Sequence, residues 1–306
     1  MRTIAALIFL LCAIICATTV IAIRSFSSHP RMKESISISS SRKRPAVDRT
    51  PIRVGVVTYN LSIFENTARV YPSLEVKYIE WGKPFPSAEI RADRGLGVTT
   101  VVVLEPSHVS LTGIAAGRYD SYISSWARAD RKLGLPVILS FAPEANGSWY
   151  RWGAKHISPA LYRRIWRHLH ERLDNGGARK LTWLWQVNSV WPGSEALSLL
   201  WPGDKYVDEI GIDGQLRTAR DSYVSVFDKT VTEVRSITRD PILISEVAVS
   251  RNAKRPAQIT GLFEGAREDH LSGIIFFDVN PQWQIDADPS ALTAFRASVR
   301  PEQQTR

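Results

Sequence analysis

The chain has 306 residues, too long for a disulfide mini-scaffold and long enough for one sizeable domain with an appendage. Hydrophobic residues make up 44% and charged residues 23%, with 18 Gly and 17 Pro, which excludes collagen-like, coiled-coil and wholly disordered classes. Much of the +9 net charge sits in residues 1–50, where eight Lys/Arg face two acids, so the body lacks the basic surface that nucleic-acid binding needs.

Residues 4–23 form an apolar run interrupted only by Thr18 and Thr19. About twenty such residues span a bilayer, so residues 1–23 read as a signal anchor or as a cleavable signal peptide. Either implies export: a membrane-anchored extracytoplasmic domain if the segment is kept, a secreted or periplasmic one if it is removed. Arg24, Arg31, Lys33 and Arg42-Lys43-Arg44 follow closely, and the positive-inside rule alone would hold them in the cytoplasm. Residues 24–50 are rich in Ser, Arg and Lys and read as a disordered linker. Cys12 and Cys16 are the only cysteines and both lie in the apolar run, so the body has neither a thiol nucleophile nor a cysteine-held zinc.

From residue 51 to residue 300 short β-branched runs alternate with amphipathic stretches, before a tail at 301–306. The strand candidates are 52–58, 76–81, 99–104, 136–141, 181–186, 207–212, 241–245 and 273–277. Helical stretches are read at 119–133, 159–173, 223–237, 256–268 and 291–299. Eight strand–helix units in about 250 residues fit an α/β (β/α)₈ TIM barrel; an open doubly wound sheet would need a glycine-rich phosphate loop that no early strand supplies. Trp126, Trp166, Trp183 and Trp185 fall inside elements and read as core, and Arg163, Arg164, Arg167 and Arg172 as a solvated helix face. His168 and His170 stand two apart on a helix and cannot share a face, so they are no metal pair.

In such a barrel the chemistry lies where strands run into βα loops. Glu105, Glu144, Asn188, Asp213, Glu246 and Asp278 occupy those positions, with Trp149, Trp152, Trp191, Trp201 and Trp283 in nearby loops. Carboxylates beside aromatic platforms describe a sugar cleft: pyranose C–H faces stack on rings, and glycoside cleavage uses two carboxyls in different protonation states. A separation of roughly 5 Å would signal retention of configuration.

The order Glu105-Pro106, Ala116-Gly117-Arg118-Tyr119-Asp120, Glu144-Ala145-Asn146-Gly147 with Trp149-Tyr150-Arg151-Trp152-Gly153, Trp201-Pro202-Gly203-Asp204, Gly211-Ile212-Asp213-Gly214, Ser245-Glu246 and Phe277-Asp278 with Trp283 resembles glycoside hydrolase family 26. That family consists of retaining (β/α)₈ enzymes that include β-mannanases. The resemblance implies Glu144 as acid/base, Glu246 as nucleophile, and Asn146, Trp149, Trp152, Asn188, Asp213, Gln215, Asp278, Trp283 and Glu105 as substrate-binding candidates. It implies no metal and no cofactor, a polysaccharide or oligosaccharide partner, and a monomer. Three positions depart from the family. Pro143 stands for its histidine before the acid/base, Ser140 for its arginine, and Gln215 for the tyrosine that hydrogen-bonds the nucleophile. Glu144 is expected to be raised in pKa beside Trp149, and Glu246 to stay ionised through hydrogen bonds such as one from Gln215. The implied activity is endo-cleavage of a β-linked polysaccharide. A binding protein without turnover and a hydrolase of the cell's own exopolysaccharide are the alternatives.

Overall fold

The computed structural model describes residues 52–299. The expected signal segment, linker and C-terminal tail lie outside the described residues. Strands β1 (Arg53–Val57), β2 (Leu74–Glu80), β3 (Thr99–Glu105), β4 (Val137–Phe141), β5 (Leu181–Asn188), β6 (Glu209–Leu216), β7 (Ile242–Val249) and β8 (Gly273–Phe277) pair in parallel and close into a barrel through β1 and β8. All eight expected strands are present. β6 and β7 start later and run several residues further than the sequence suggested, because the strand pairing carries on past the acidic residues that sequence reading takes as a terminus.

Helices α1 (Leu61–Ala68), α2 (Ser87–Gly95), α3 (Leu111–Ala115), α4 (Asp120–Leu133), α5 (Pro159–Asn175), α6 (Leu197–Leu200), α7 (Lys229–Ile237), α8 (Arg255–Glu268) and α9 (Pro289–Ser298) are described outside the strands. α1, α2, α3 and α6 were not expected; they have four to nine residues, too short to show a clear helical period. Their ends carry ordinary signals. Asn60 caps α1, Ser158 caps α5 ahead of Pro159, and Asp288 caps α9 ahead of Pro289. The expected helix at 223–237 opens instead with a π turn over Val224–Asp228, where Phe227 seats on Gly214; a Cβ there would stand 2.7 Å from the ring.

Two apolar layers hold the barrel, as alternation along strands buried on both faces requires. Inside lie Val57, Val76, Val103, Ile138, Leu184 and Ile275, while Trp126, Trp166, Trp183 and Trp185 pack between strands and helices as expected. The arginines of α5 do more than face solvent. Arg163 and Arg167 donate to the carbonyls of Leu199 and Pro202 (the latter at 2.7 Å), latching the β5–β6 connection to the helix. At the N-terminal end of the barrel the Arg53 guanidinium meets Glu209, which also accepts from the Ser272 hydroxyl. The C-terminal end stays free for the acidic residues.

Candidate active site

β4 delivers the first carboxyl. After Phe141 the chain passes Ala142 and Glu144 at φ of 48° and 54°, a left-handed backbone that side-chain-bearing residues hold only where neighbours over-determine it. Three bonds do so: Ala142 N–H to the Leu104 carbonyl at 3.0 Å, Glu144 N–H to the Gln186 carbonyl at 2.9 Å, and Trp152 Nε1–H to the Pro143 carbonyl at 2.7 Å. Gly147 then lets the Trp149 ring fold back, since a Cβ would lie 2.5 Å from it. As a result Trp149 Nε1 donates to Glu144 Oε2 at 2.7 Å, and Asn188 Nδ2, from the end of β5, donates to Oε1 at 2.5 Å.

β7 delivers the second carboxyl through a bulge. Its register shifts against β6 between Ile212 and Asp213, and against β8 between Ile244 and Val247; such an irregularity re-aims side chains next to functional sites. Ser245 Oγ thereby donates to Asp213 Oδ1 at 2.6 Å, and Glu246 faces the mouth, where the Tyr78 hydroxyl donates to Oε2. Gly211 makes room, because a Cβ there would meet Ser245 Oγ at 2.4 Å. Asp213 accepts from Gln186 Nε2 at 2.8 Å as well. It ties β5, β6 and β7 together behind Glu246.

Burial pushes the Glu144 carboxyl up in pKa, against the Asn188 and Trp149 bonds that lower it. Glu246 is pushed up to about 8 by burial and by the charge of Glu144, with the Tyr78 bond opposing. Here the structure departs from the sequence reading: burial and the charge of Glu144 raise Glu246, where hydrogen bonding alone was expected to keep it low, and the bond that opposes the rise comes from Tyr78. Glu105 is pushed up to about 7 by burial, Glu80 and Glu144, and Asp278 to about 7 by burial. Asp213 also rises, first through burial and then through Glu144 and Glu246.

These groups carry a stability consequence. A carboxyl whose folded pKa lies above its unfolded value contributes stability in full below the unfolded pKa, near 4, and loses it as pH rises through the folded value, here 7 to 8. His170, lowered by burial, acts oppositely, gaining stability as pH rises, but only below its ordinary range near 6.5. Tm is therefore expected to fall by roughly 5 °C between pH 6.5 and 8.5. A flat or rising Tm by calorimetry over that window would contradict the burial of these acids.

The remaining candidates fall into two groups. Trp149 is partly exposed and packs on Trp191, ring centroids 5.2 Å apart; Trp283 is partly exposed and sits edge-on to Phe277 at 5.4 Å. Arg255, fully buried, holds the Trp283 loop by donating to its carbonyl at 2.5 Å and to Asp288 Oδ2 at 3.0 Å. Asn146 is 1% exposed and braces Asn188: its Nδ2 donates to the Asn188 carbonyl at 2.7 Å and its Oδ1 accepts from the Asn188 N–H at 2.9 Å. Trp152 is buried and stacked on Tyr150, which makes it a support of the loop and not a sugar platform. Asp278 is buried and accepts from the Ile285 N–H at 2.6 Å, shaping the turn after Trp283. Gln215 accepts from Arg217 Nε at 3.1 Å, and the bond to Glu246 comes from Tyr78 instead. Sequence reading missed Tyr78 and Glu80, the latter in register with Glu105 at the end of β2. Both lie on alternate positions with Leu74 and Val76, so the period of two was the available signal.

The glycosyl hydrolase family 26 model matches residues 104–254, a stretch that contains Glu105, Glu144, Asn188, Asp213 and Glu246. Over that stretch the chain is similar to glycosyl hydrolase family 26. Among the chain's relatives, endoglucanase H of Acetivibrio thermocellus is 28% identical over 243 residues, covering 73% of the chain and 27% of that protein. A mannan endo-1,4-beta-mannosidase of Bifidobacterium adolescentis is 29% identical over 136 residues, covering 43% of the chain and 13% of that protein. The chain thus spans about a quarter or less of these relatives' lengths. Among solved structures, a modular endo-beta-1,4-mannanase of Cellulomonas fimi superposes with a TM-score of 0.67 at 17% identity, over 82% of this chain and 71% of that one. At the position where that family carries a histidine this chain has Pro143, whose carbonyl anchors Trp152. Ser140 is fully buried in β4, its hydroxyl without a hydrogen-bond partner among the described residues.

Proposed function

We propose that the chain is a retaining endo-glycoside hydrolase of a β-linked polysaccharide, working by double displacement at Glu144 and Glu246. The observation that carries this reading is that the ends of β4 and β7 bring these two carboxyls into one mouth, near enough for the charge of Glu144 to raise Glu246. The Glu246 carboxylate attacks the anomeric carbon as the glycosidic C–O bond breaks and Glu144 gives its proton to the leaving oxygen. Water then attacks the glycosyl ester, losing its proton to Glu144 and freeing Glu246. Substrate sorts the protons. A glycosidic oxygen only accepts, so it favours the proton on Glu144, and positive charge developing at the anomeric carbon favours Glu246 as the anion. Trp149 and Trp283 supply aromatic faces at the cleft, while Asn188 fixes the acid.

The family 26 match and the endoglucanase and mannosidase relatives support a β-glycan substrate. The deciding experiment is reducing-end release by the full chain on mannan, glucomannan, mixed-linkage β-glucan, xylan and the source cell's own exopolysaccharide. Turnover of one polymer, lost in Glu144→Gln and Glu246→Gln, is expected. A second reading rests on Pro143 and on the unpartnered Ser140 hydroxyl, which replace two supports of the acid/base. Saturable polymer binding without reducing ends would establish it, as a binding protein on a hydrolase scaffold. We further place the barrel outside the cytoplasm, tethered or released through residues 1–23; protease accessibility in intact cells checks this.

A further inference from the structure

We propose that Tyr78 is the positioning residue of the Glu246 nucleophile, supplying from β2 the hydroxyl that family 26 places after strand six. The inference rests on the assignment of Glu246 under the proposed function. Three observations carry it. First, the Tyr78 hydroxyl donates to Glu246 Oε2, across a barrel in which β1 and β8 separate β2 from β7. Second, among the described residues Gln215 makes no hydrogen bond to Glu246: its Oε1 is turned to Arg217, from which it accepts, and its backbone pairs with Ala248, two residues beyond Glu246. Third, Tyr78 is partly buried and packs against the apolar interior of the barrel, a cluster that includes Val76, Val103 and Phe277, so its ring is held by packing and its hydroxyl arrives preorganised. Tyr78 lies outside the stretch that the family model matches.

The chemistry suits the task. A phenol buried beside Glu246 keeps its proton, since burial and the neighbouring carboxyl charges push its pKa up, so it can donate to the carboxylate throughout the working range. One charge-assisted bond of this kind both orients the attacking oxygen and favours the anion that must attack. Bonding Oε2 leaves Oε1 as the attacking atom. The leaving and attacking groups are thus steered from different sides of the barrel: Glu144 through Asn188 on β5 and Trp149 after β4, Glu246 from β2.

The test is Tyr78→Phe in the full chain, with 3-fluorotyrosine at position 78 as a second protein of unchanged shape and stronger donation. Two readouts are taken: the carboxyl titration of Glu246 by carbon-13 NMR with labelled glutamate, assigned through Glu246→Gln, and the pH profile of kcat/KM on the responsive polymer. In Tyr78→Phe the Glu246 titration and the acidic limb are expected to move up by about one pH unit, and kcat to fall about tenfold to a hundredfold with KM little changed. Fluorotyrosine should move both the other way. A Glu246 titration that stays put in both proteins overturns the proposal, even if Tyr78→Phe lowers Tm, since a space-filling ring would do only that. If the titration moves while the wild-type chain releases no reducing ends, Tyr78 keeps its role on the Glu246 carboxyl and the hydrolase reading is what fails.

Discussion

Replacing Glu246 with alanine is expected to lower kcat on the responsive polymer by about 10⁴-fold or more, and azide is expected to restore part of the rate while producing an α-glycosyl azide. The argument is geometric. Removing the carboxyl leaves a space on the α face of the anomeric carbon, beside the Tyr78 hydroxyl, of a size that a small anion fills. Azide entering from that face displaces the leaving group in one step, with Glu144 still able to protonate it, so the product is inverted. Tyr78 donates to azide as it does to the carboxylate. Azide rescue with a β product, or full activity in the variant, would remove Glu246 from the nucleophile's role.

The second large effect is at Glu144. Glu144→Ala is expected to cut turnover of the polymer by about a thousandfold, because an alkoxide leaving group needs the proton, yet to leave the first step on a 2,4-dinitrophenyl glycoside within about tenfold of wild type, because that phenolate leaves unassisted. Hydrolysis of the glycosyl ester then lacks its base and the intermediate accumulates. Azide, needing no base, should attack from the β face and give a β-glycosyl azide, the reverse of the outcome at Glu246. Opposite azide stereochemistry in the two variants is the signature of double displacement. Equal slowing on polymer and dinitrophenyl substrate would instead mean that Glu144 only shapes the site through Trp149 and Asn188.

Much of the site was legible because βα loops begin where buried strands end. Reading strand ends in order found Glu105, Glu144, Asn188, Asp213, Glu246 and Asp278, and each lies at or near the C-terminal end of its strand. The roles were less legible. Asn146 and Trp152 look like cleft residues in the motif, but the first substitutes for backbone in bracing Asn188 and the second anchors the Pro143 carbonyl; a side chain's direction in a tight loop depends on bonds made to distant strands. Gln215 was expected at the nucleophile because its sequence position suggested it. The bulge in β7 sets a different pairing there.

By itself the sequence determined the alternation of apolar strands and amphipathic helices, the concentration of basic charge in residues 1–50, and the positions of the acids, since these follow from local periodicity and composition. Tertiary closure decided which groups meet. Tyr78 and Glu246 are 168 residues apart, and nothing local distinguishes a tyrosine in β2 from core filling until the barrel turns it toward β7. The protonation of the carboxyls belongs to the same level, because burial and the mutual repulsion of Glu80, Glu105, Glu144 and Glu246 arise only when four strands bring them to one mouth.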